Sequence, residues 1–385
     1  MRICIFTDTL GDLNGVSRFI QDMGEQALAN GIDLHIVAST AKYCPNLPNV
    51  HNLPPRWRVP MPFYRELDLA YPSSEALERV LRELRPDILH ISTPGPVGII
   101  AKKLAVKHKL PVLGTYHTDF PAYIRDNTGL AWAKRAADRV MQRFYLPFER
   151  VFTRSSEYLD IMEKEIGIDR TRSALLPPGT NRTRFHPSHK DTTVFAKYGV
   201  TGEGPKVLYV GRISKEKNVP FLLDVWQRYK ACNPDSTAEL LLVGEGFLRH
   251  KRANLALDDV TFAGPVIGDD LSMLYASSDL FVFPSVTDTL GQVVMEAQAS
   301  RVCCLVSDVG GPQSIVNHGG GAGGMVVRGN DADAWIDALE ALLENATLRQ
   351  NFARRGYENM QHFDIKVSFT HFIETHSDAL KRLHR

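Results

Sequence analysis

The 385-residue chain is α/β by its pattern, with two Rossmann-like parallel-sheet domains in tandem, and three observations predict this. Apolar runs of strand length alternate with amphipathic stretches of helix length, the mark of βαβ units and parallel sheets. The alternation stops at a proline-rich connector, "LLPPGTNRTRFHP" at 175–187, and then starts again. The length suits two domains of ordinary size.

Taken in order, residues 2–7 (RICIFT) form a buried strand, and "DTLGDLNGVSRFIQDMGEQALANG" a glycine-containing loop and an amphipathic helix that Gly31 caps. "DLHIVAS" completes the first βαβ unit. Strand "DILHIST", helix "GPVGIIAKKLAVKHK", strands "PVLGTYH" and "RVFTRS" and helix "SEYLDIMEKEIG" continue the series. The proline- and aromatic-rich stretch from His51 to Leu69 has no clear period, and is expected to be a long irregular loop of functional use. After the connector come strands "KVLYVG", "AELLLVGEG", "VTFAGPV", "LFVFPS" and "VCCLVSD", with helices "PFLLDVWQRYKACN", "LSMLYASS" and "QVVMEAQAS" between them. Residues 333–385 are mostly helical in pattern. The expected domains are 1–185, 186–362, and a helical tail 363–385 packing back on the first. Open parallel sheets bind ligands at the carboxyl ends of their strands, so the expected site is a cleft between the domains.

Composition narrows the class. Apolar residues at 44% and charged residues at 23% are a globular balance, which excludes disorder. No window has the ~18 uncharged apolar residues of a membrane helix. The apolar run at the N-terminus ends at Asp8, too early for a signal peptide core. Five cysteines, an odd number with no CxxC, support neither a disulfide framework nor a zinc site, so a reduced cytoplasmic compartment is expected. Residues 1–185 hold 25 Lys and Arg against 20 Asp and Glu; the rest hold 20 against 24. That asymmetry fits either an anionic partner of the first half or chance. No long basic run or recognised module suggests nucleic acid.

Several strand-end residues can carry chemistry. Arg212 and Lys217 follow the strand 206–210, and a planar fork beside a compact cation suits a diphosphate. A solvated loop before a helix would look the same. Asp288 follows strand 280–284. Leu290, Gly291 and Gln292 then open a helix whose first amides favour an anion, and Gly291 allows close approach. Glu296, one turn on, can accept hydrogen bonds from the vicinal hydroxyls of a ribose. The plainer alternative makes Asp288 a helix cap and Glu296 an ordinary helix residue, though its apolar neighbours require a partner for it. Gly15 lies in the first β–α turn, and His117 ends strand 111–116. Asp331 and Asp333 form a DxD at the start of a helical run, where capping is the expected role.

Read jointly, "NGVSRF", "YHTDFPAYI", "LPPGTNRTRFHP", "VGRISKEKN", "LLVGEGFLR", "FAGPV", "YASSDLFVFPS" and "TDTLGQVVMEAQAS" resemble, in order and spacing, a family 4 glycosyltransferase with the GT-B architecture. The resemblance spans nearly the whole chain. It implies a retaining, α-forming transfer of a hexose from a UDP or GDP sugar to a sugar or lipid-linked acceptor, with no metal or other cofactor. It also implies roles. Gly15 faces the donor phosphate and His117 lies beside the donor sugar. Arg212 and Lys217 grip the diphosphate, Val266 contacts the base through its main chain, and Asp288 and Glu296 are the two acids of an E-x7-E pattern. Leu290, Gly291 and Gln292 supply backbone near the sugar and phosphate. Three positions depart from the family pattern: Asp288 replaces the usual Glu, Asn14-Gly15 a double glycine, and Arg301 a glycine. A left-handed backbone at 301 would strain an arginine. On the acceptor side, segment 54–65 and the helix "AWAKRAADRVMQRFYLPFER" can either dock peripherally on the inner face of an anionic membrane or stay solvated. A nucleotide-sugar 2-epimerase and a binding protein without catalysis are the competing functions.

Overall fold

The structure, a computed structural model, describes all residues except Leu13, Tyr43, Pro62, Phe63, Ser155, Phe247, 249–258, Thr289 and 384–385, and leaves out the side chains of 61, 64–68, 126–127 and 156–157. The chain divides into two units, Met1–Pro177 with Lys366–Arg385, and Pro178–Ile365. The division falls at Pro177/Pro178, earlier than residue 185, because the connector pairs within the second unit. Thr180 N donates to Phe363 O (2.9 Å) and Ile365 N to Thr180 O (3.1 Å).

The first unit holds β1 (Ile3–Thr7), α1 (Gly15–Ala29), β2 (Leu34–Ala38), β3 (Val50–Asn52), β4 (Trp57–Met61), β5 (Tyr64–Tyr71), α2 (Ser74–Leu84), β6 (Ile88–Ile91), α3 (Pro96–His108), β7 (Val112–Thr115), α4 (Phe120–Thr128), α5 (Ala131–Tyr145), β8 (Arg150–Thr153), α6 (Ser156–Ile161) and β9 (Ser173–Leu175). Seven strands form one parallel sheet in the order β3-β2-β1-β6-β7-β8-β9. All five residues of β1 are buried, as expected of a strand covered on both faces. The expected loop at 51–69 is a correction: β4 and β5 form a separate antiparallel pair, with Trp57 stacked on Tyr71 at 3.8 Å. Pro62 and Phe63 of that segment lie outside the described residues. Helix α6 runs on into a wider π turn, Met162–Ile166.

The second unit holds β10 (Lys206–Val210), α7 (Val219–Cys232), β11 (Glu239–Val243), β12 (Val260–Gly264), α8 (Gly268–Ser277), β13 (Leu280–Phe283), α9 (Gln292–Ala299), β14 (Cys303–Ser307), α10 (Gly311–Val316), β15 (Gly324–Val327), α11 (Ala332–Glu344) and α12 (Ala346–Asn359). Its six parallel strands run β12-β11-β10-β13-β14-β15, which is 3-2-1-4-5-6 counted from the unit's own first strand, the Rossmann order. Helix α13 (Ile365–Leu383) belongs to the first unit from Lys366 on. There Phe372 stacks on Phe152 of β8 at 5.4 Å, and His376 bonds His90 of β6 at 3.2 Å. No described helix is long and apolar enough to cross a membrane.

Candidate functional site

In the second sheet β10 and β13 are neighbours, with β11 beyond one and β14 beyond the other. The strand order reverses between them, which is where open α/β sheets bind ligands. The loop after β10 carries Arg212 and Lys217; the loop after β13 carries Asp288. Three consecutive residues of the first loop bond the second. Glu216 O accepts from Thr287 Oγ1 at 3.2 Å, Lys217 Nζ meets Asp288 Oδ2 at 2.8 Å, and Asn218 Nδ2 donates to Pro284 O at 3.3 Å. The Asp288 carboxylate therefore goes to a lysine, not to the helix start. Arg212 pairs with Glu216, and its carbonyl accepts from Tyr209 Oη at 2.8 Å.

The loop ends of β10, β11 and β12 are stitched backbone to backbone. Gly211 N donates to Val243 O at 3.0 Å, Ile213 N to Glu245 O at 2.9 Å and Gly244 N to Gly264 O at 2.9 Å. A Cβ at Gly244 would lie 1.9 Å from Gly211 O, so only glycine fits there. Val266 follows this edge with its side chain buried in the core.

Gly291, at φ 77°, begins α9, which has no side-chain cap among the described residues. A Cβ there would come within 3.0 Å of Pro312 Cα, in a backbone region L-residues avoid. Leu290 packs half-buried against the core, and Gln292 Nε2 donates to Gly179 O at 3.4 Å. Glu296, one turn into α9, is only 4% exposed, and Tyr275 Oη donates to it at 3.0 Å. The partner that a buried acid requires is thus Tyr275. Asp331 and Asp333 stand elsewhere, at the start of α11: Asp331 accepts from Ala334 N at 3.2 Å and Asp333 pairs with Arg228.

The first unit places Gly15 and His117 at the carboxyl edge of its own sheet. Gly15 opens α1, capped by Asn14 Oδ1 accepting from Ser17 N at 2.9 Å. His117, just past β7, is half-buried. Its Nε2 lies 3.0 Å from Ser92 Oγ and its ring meets the Phe19 edge at 5.9 Å. The Arg154 guanidinium lies 4.9 Å over Phe19. Desolvation, then the Arg154 charge, pushes the imidazole down to about 3, so it is neutral at physiological pH.

Sequence reasoning missed Asp8, Ser92 and Arg154, which all follow strands of this sheet; that position was the available signal. Asp8 is buried, accepting from Thr93 Oγ1 and Val97 N (both 2.7 Å) and from Gly98 N (3.4 Å) at the start of α3. Burial raises its carboxyl to about 6 against the pull of these hydrogen bonds.

Two family models match the chain: Glycosyltransferase Family 4 over residues 13–184 and Glycosyl transferases group 1 over residues 204–345. A GDP-mannose-dependent alpha-mannosyltransferase of Corynebacterium glutamicum is 28% identical over 386 residues, 99% of this chain and 89% of that protein. The sulfoquinovosyl transferase of Arabidopsis thaliana is 26% identical over 322 residues, 81% of this chain; the match spans 60% of that longer protein. Sucrose-phosphate synthase from Thermosynechococcus elongatus shares the fold at TM-score 0.76 and 20% identity, covering 99% of this chain and all of the other.

Proposed function

Because the chain belongs to glycosyltransferase family 4, on the GT-B architecture, we propose that it moves a hexose from a UDP or GDP sugar to an acceptor hydroxyl, with retention and without a metal. It is a nucleotide-sugar-dependent glycosyltransferase by family; donor, acceptor and stereochemistry are the finer reading. The observation that carries this reading is the pairing of Lys217 with Asp288 where the sheet reverses, beside Arg212 and the start of α9.

A departing nucleoside diphosphate develops negative charge, and fixed cations and helix amides stabilise that charge without reorganising. Arg212, Lys217 and the first amides of α9 take this role, which a divalent ion fills in other enzymes. Asp288 receives the donor sugar's hydroxyls, Glu296 the ribose, and the main chain at Val266 the base. Gly15 lets phosphate approach the first unit's backbone. His117, neutral and steadied by Ser92, orients the sugar. Retention follows if the acceptor hydroxyl attacks from the face the diphosphate leaves and gives its proton to a diphosphate oxygen.

The test uses labelled UDP-glucose and GDP-mannose with lipid extracts and free sugars as acceptors, in EDTA. An α-linked glycoside is expected. A free epimer without acceptor, a β-linkage or abolition by EDTA would each overturn part of the reading. Helix α5 supplies the acceptor's context. Trp132 and Val140, 67% and 58% exposed, alternate with exposed Arg135, Arg139 and Arg143 on its outer stripe. An anionic membrane carrying a lipid-linked acceptor complements that stripe. Sedimentation with phosphatidylglycerol vesicles but not phosphatidylcholine ones is expected; equal binding to both or to neither refutes it.

A further inference from the structure

Two asparagines of the second unit hold left-handed backbone, Asn218 at φ 58° and Asn330 at φ 63°. Their side chains are joined, Asn218 Nδ2 donating to Asn330 Oδ1 at 2.8 Å. The same amide reaches Pro284 O at 3.3 Å. One side chain thus ties the loop after β10 to the loop after β13 and to the loop after β15. Asn218 also directly follows Lys217. Its N–H donates to Lys215 O (2.9 Å) and its carbonyl accepts the first bond of α7 from Leu222 N (3.1 Å), so the chain turns sharply there between lysine and helix.

A left-handed turn needs only glycine. Asparagine tolerates that region and adds an amide, and here the amide is used twice, once on a second left-handed asparagine. The arrangement does more than turn the chain. It fixes the spacing of the two loops whose side chains form the Lys217–Asp288 pair. Without the tie, the two loops are still joined by the Lys217–Asp288 pair and the Thr287–Glu216 bond.

We propose that Asn218, with Asn330, is a positioning residue for donor binding: it holds Lys217 and the 284–288 loop where the diphosphate of a nucleotide sugar meets them. This rests on the function proposed above. Asn218→Gly keeps the backbone freedom and deletes only the ties. Calorimetric titration of the full chain with UDP-glucose and GDP-mannose reads the effect. For whichever donor the unaltered protein binds, the expected Kd rises about tenfold, while the melting temperature falls by only a few degrees because the same hydrogen bonds are lost without donor. Asn330→Gly, which removes one of the two ties, reproduces part of the loss, and the double variant adds little to Asn218→Gly. In a Lys217→Ala background, Asn218→Gly changes Kd by less than about twofold, because its effect runs through the lysine.

Wild-type donor affinity in both folded single variants, additive losses in the double variant, or an undiminished effect in the Lys217→Ala background would each overturn the proposal. If Asn218→Gly fails to fold, Asn330→Gly carries the same test. A Lys217→Ala variant that binds both donors normally marks failure of the site reading itself, a result distinct from Asn218→Gly failing alone.

Discussion

Lys217→Ala separates what the lysine does for the fold from what it does for the donor. The substitution removes an ammonium 2.8 Å from Asp288 Oδ2, in a pair whose side chains are 13% and 24% exposed. At an effective dielectric near 20 the bare attraction is about 6 kcal/mol, but desolvating both charges offsets most of it. Exposed pairs net below about 1 kcal/mol, and breaking a buried pair from one side costs about 3–5 kcal/mol. A pair of this exposure falls between, so the variant should lose about 1–2 kcal/mol, or roughly 3–6 °C in a unit of this size. On the proposed function, the loss of a charge aimed at the departing diphosphate is larger, about 3–4 kcal/mol, a 10²–10³-fold fall in turnover. Adding Asp288→Ala tells the two apart. The double variant leaves no uncompensated carboxylate, so it should be less destabilised than the two single losses summed, while turnover stays low. Differential scanning calorimetry and nucleotide release from the donor measure both. Turnover of Lys217→Ala within about twofold of wild type would refute the catalytic argument, and strict additivity of the melting losses would refute the pairing argument.

Two further outcomes follow from single positions. Arg301, at φ 61°, occupies the left-handed position after α9, where Val302 N donates to Ala297 O and Arg301 N to Gln298 O, both at 3.0 Å, a bond pattern that usually ends in glycine. Arg301→Gly relieves about 1 kcal/mol of strain but loses a cation at a helix end and gains unfolded-chain freedom, so it should stabilise by only about 0.5 kcal/mol and leave turnover unchanged; a gain above 2 kcal/mol or a lost activity contradicts this. Burial holds His90 well below its usual range, His376 at about 4 and His117 at about 3, so acidification from pH 6.5 protonates the unfolded chain first and lowers stability down to about pH 4, while Asp8, raised to about 6, takes up a proton in the fold and cancels about one of the three. The net expectation is about 2.7 kcal/mol lost per pH unit near pH 5, followed by hydrogen exchange of β6 amides. His376→Gln should flatten that slope, and an unchanged slope sinks the assignment.

What the sequence disclosed depended on how local the cause was. Strands such as Ile3–Thr7 and Lys206–Val210 are legible because burial on both faces demands unbroken apolar runs. The β4–β5 hairpin was not legible. Pro60 sits inside it, and part of its support is a stack between Trp57 and Tyr71, which no short period reveals. The unit boundary was misplaced for the same reason: Thr180 bonds a segment near residue 364, so the connector's second half joins the unit it leads into. Arg212, Lys217 and Asp288 stood out as candidates because the strand-end rule and side-chain chemistry coincided there, and the structure pairs Lys217 with Asp288. Asp8 obeys the same rule but reads as the acid that ends an apolar run. Asn218 carries no charge to draw notice, and its proposed role depends on its bonds to Asn330 and Pro284.

The two sheets also support the proposed placement of the donor's diphosphate against the second unit. Both reverse strand order beside their first strand, β1 against β6 and β10 against β13, and each reversal brings a helix start and an acid together. In the first unit the acid fills the helix start: Asp8 accepts the amides of Val97 and Gly98, and a second anion there would meet its charge. In the second unit the acid is turned away. Lys217 holds the Asp288 carboxylate, glycine opens α9, and no side chain among the described residues caps it. The same ingredients thus make a self-satisfied anion site in one unit and a cationic, uncapped one in the other. The choice is made by a lysine one loop away, which is why substitution of Lys217 is the most direct probe of the function.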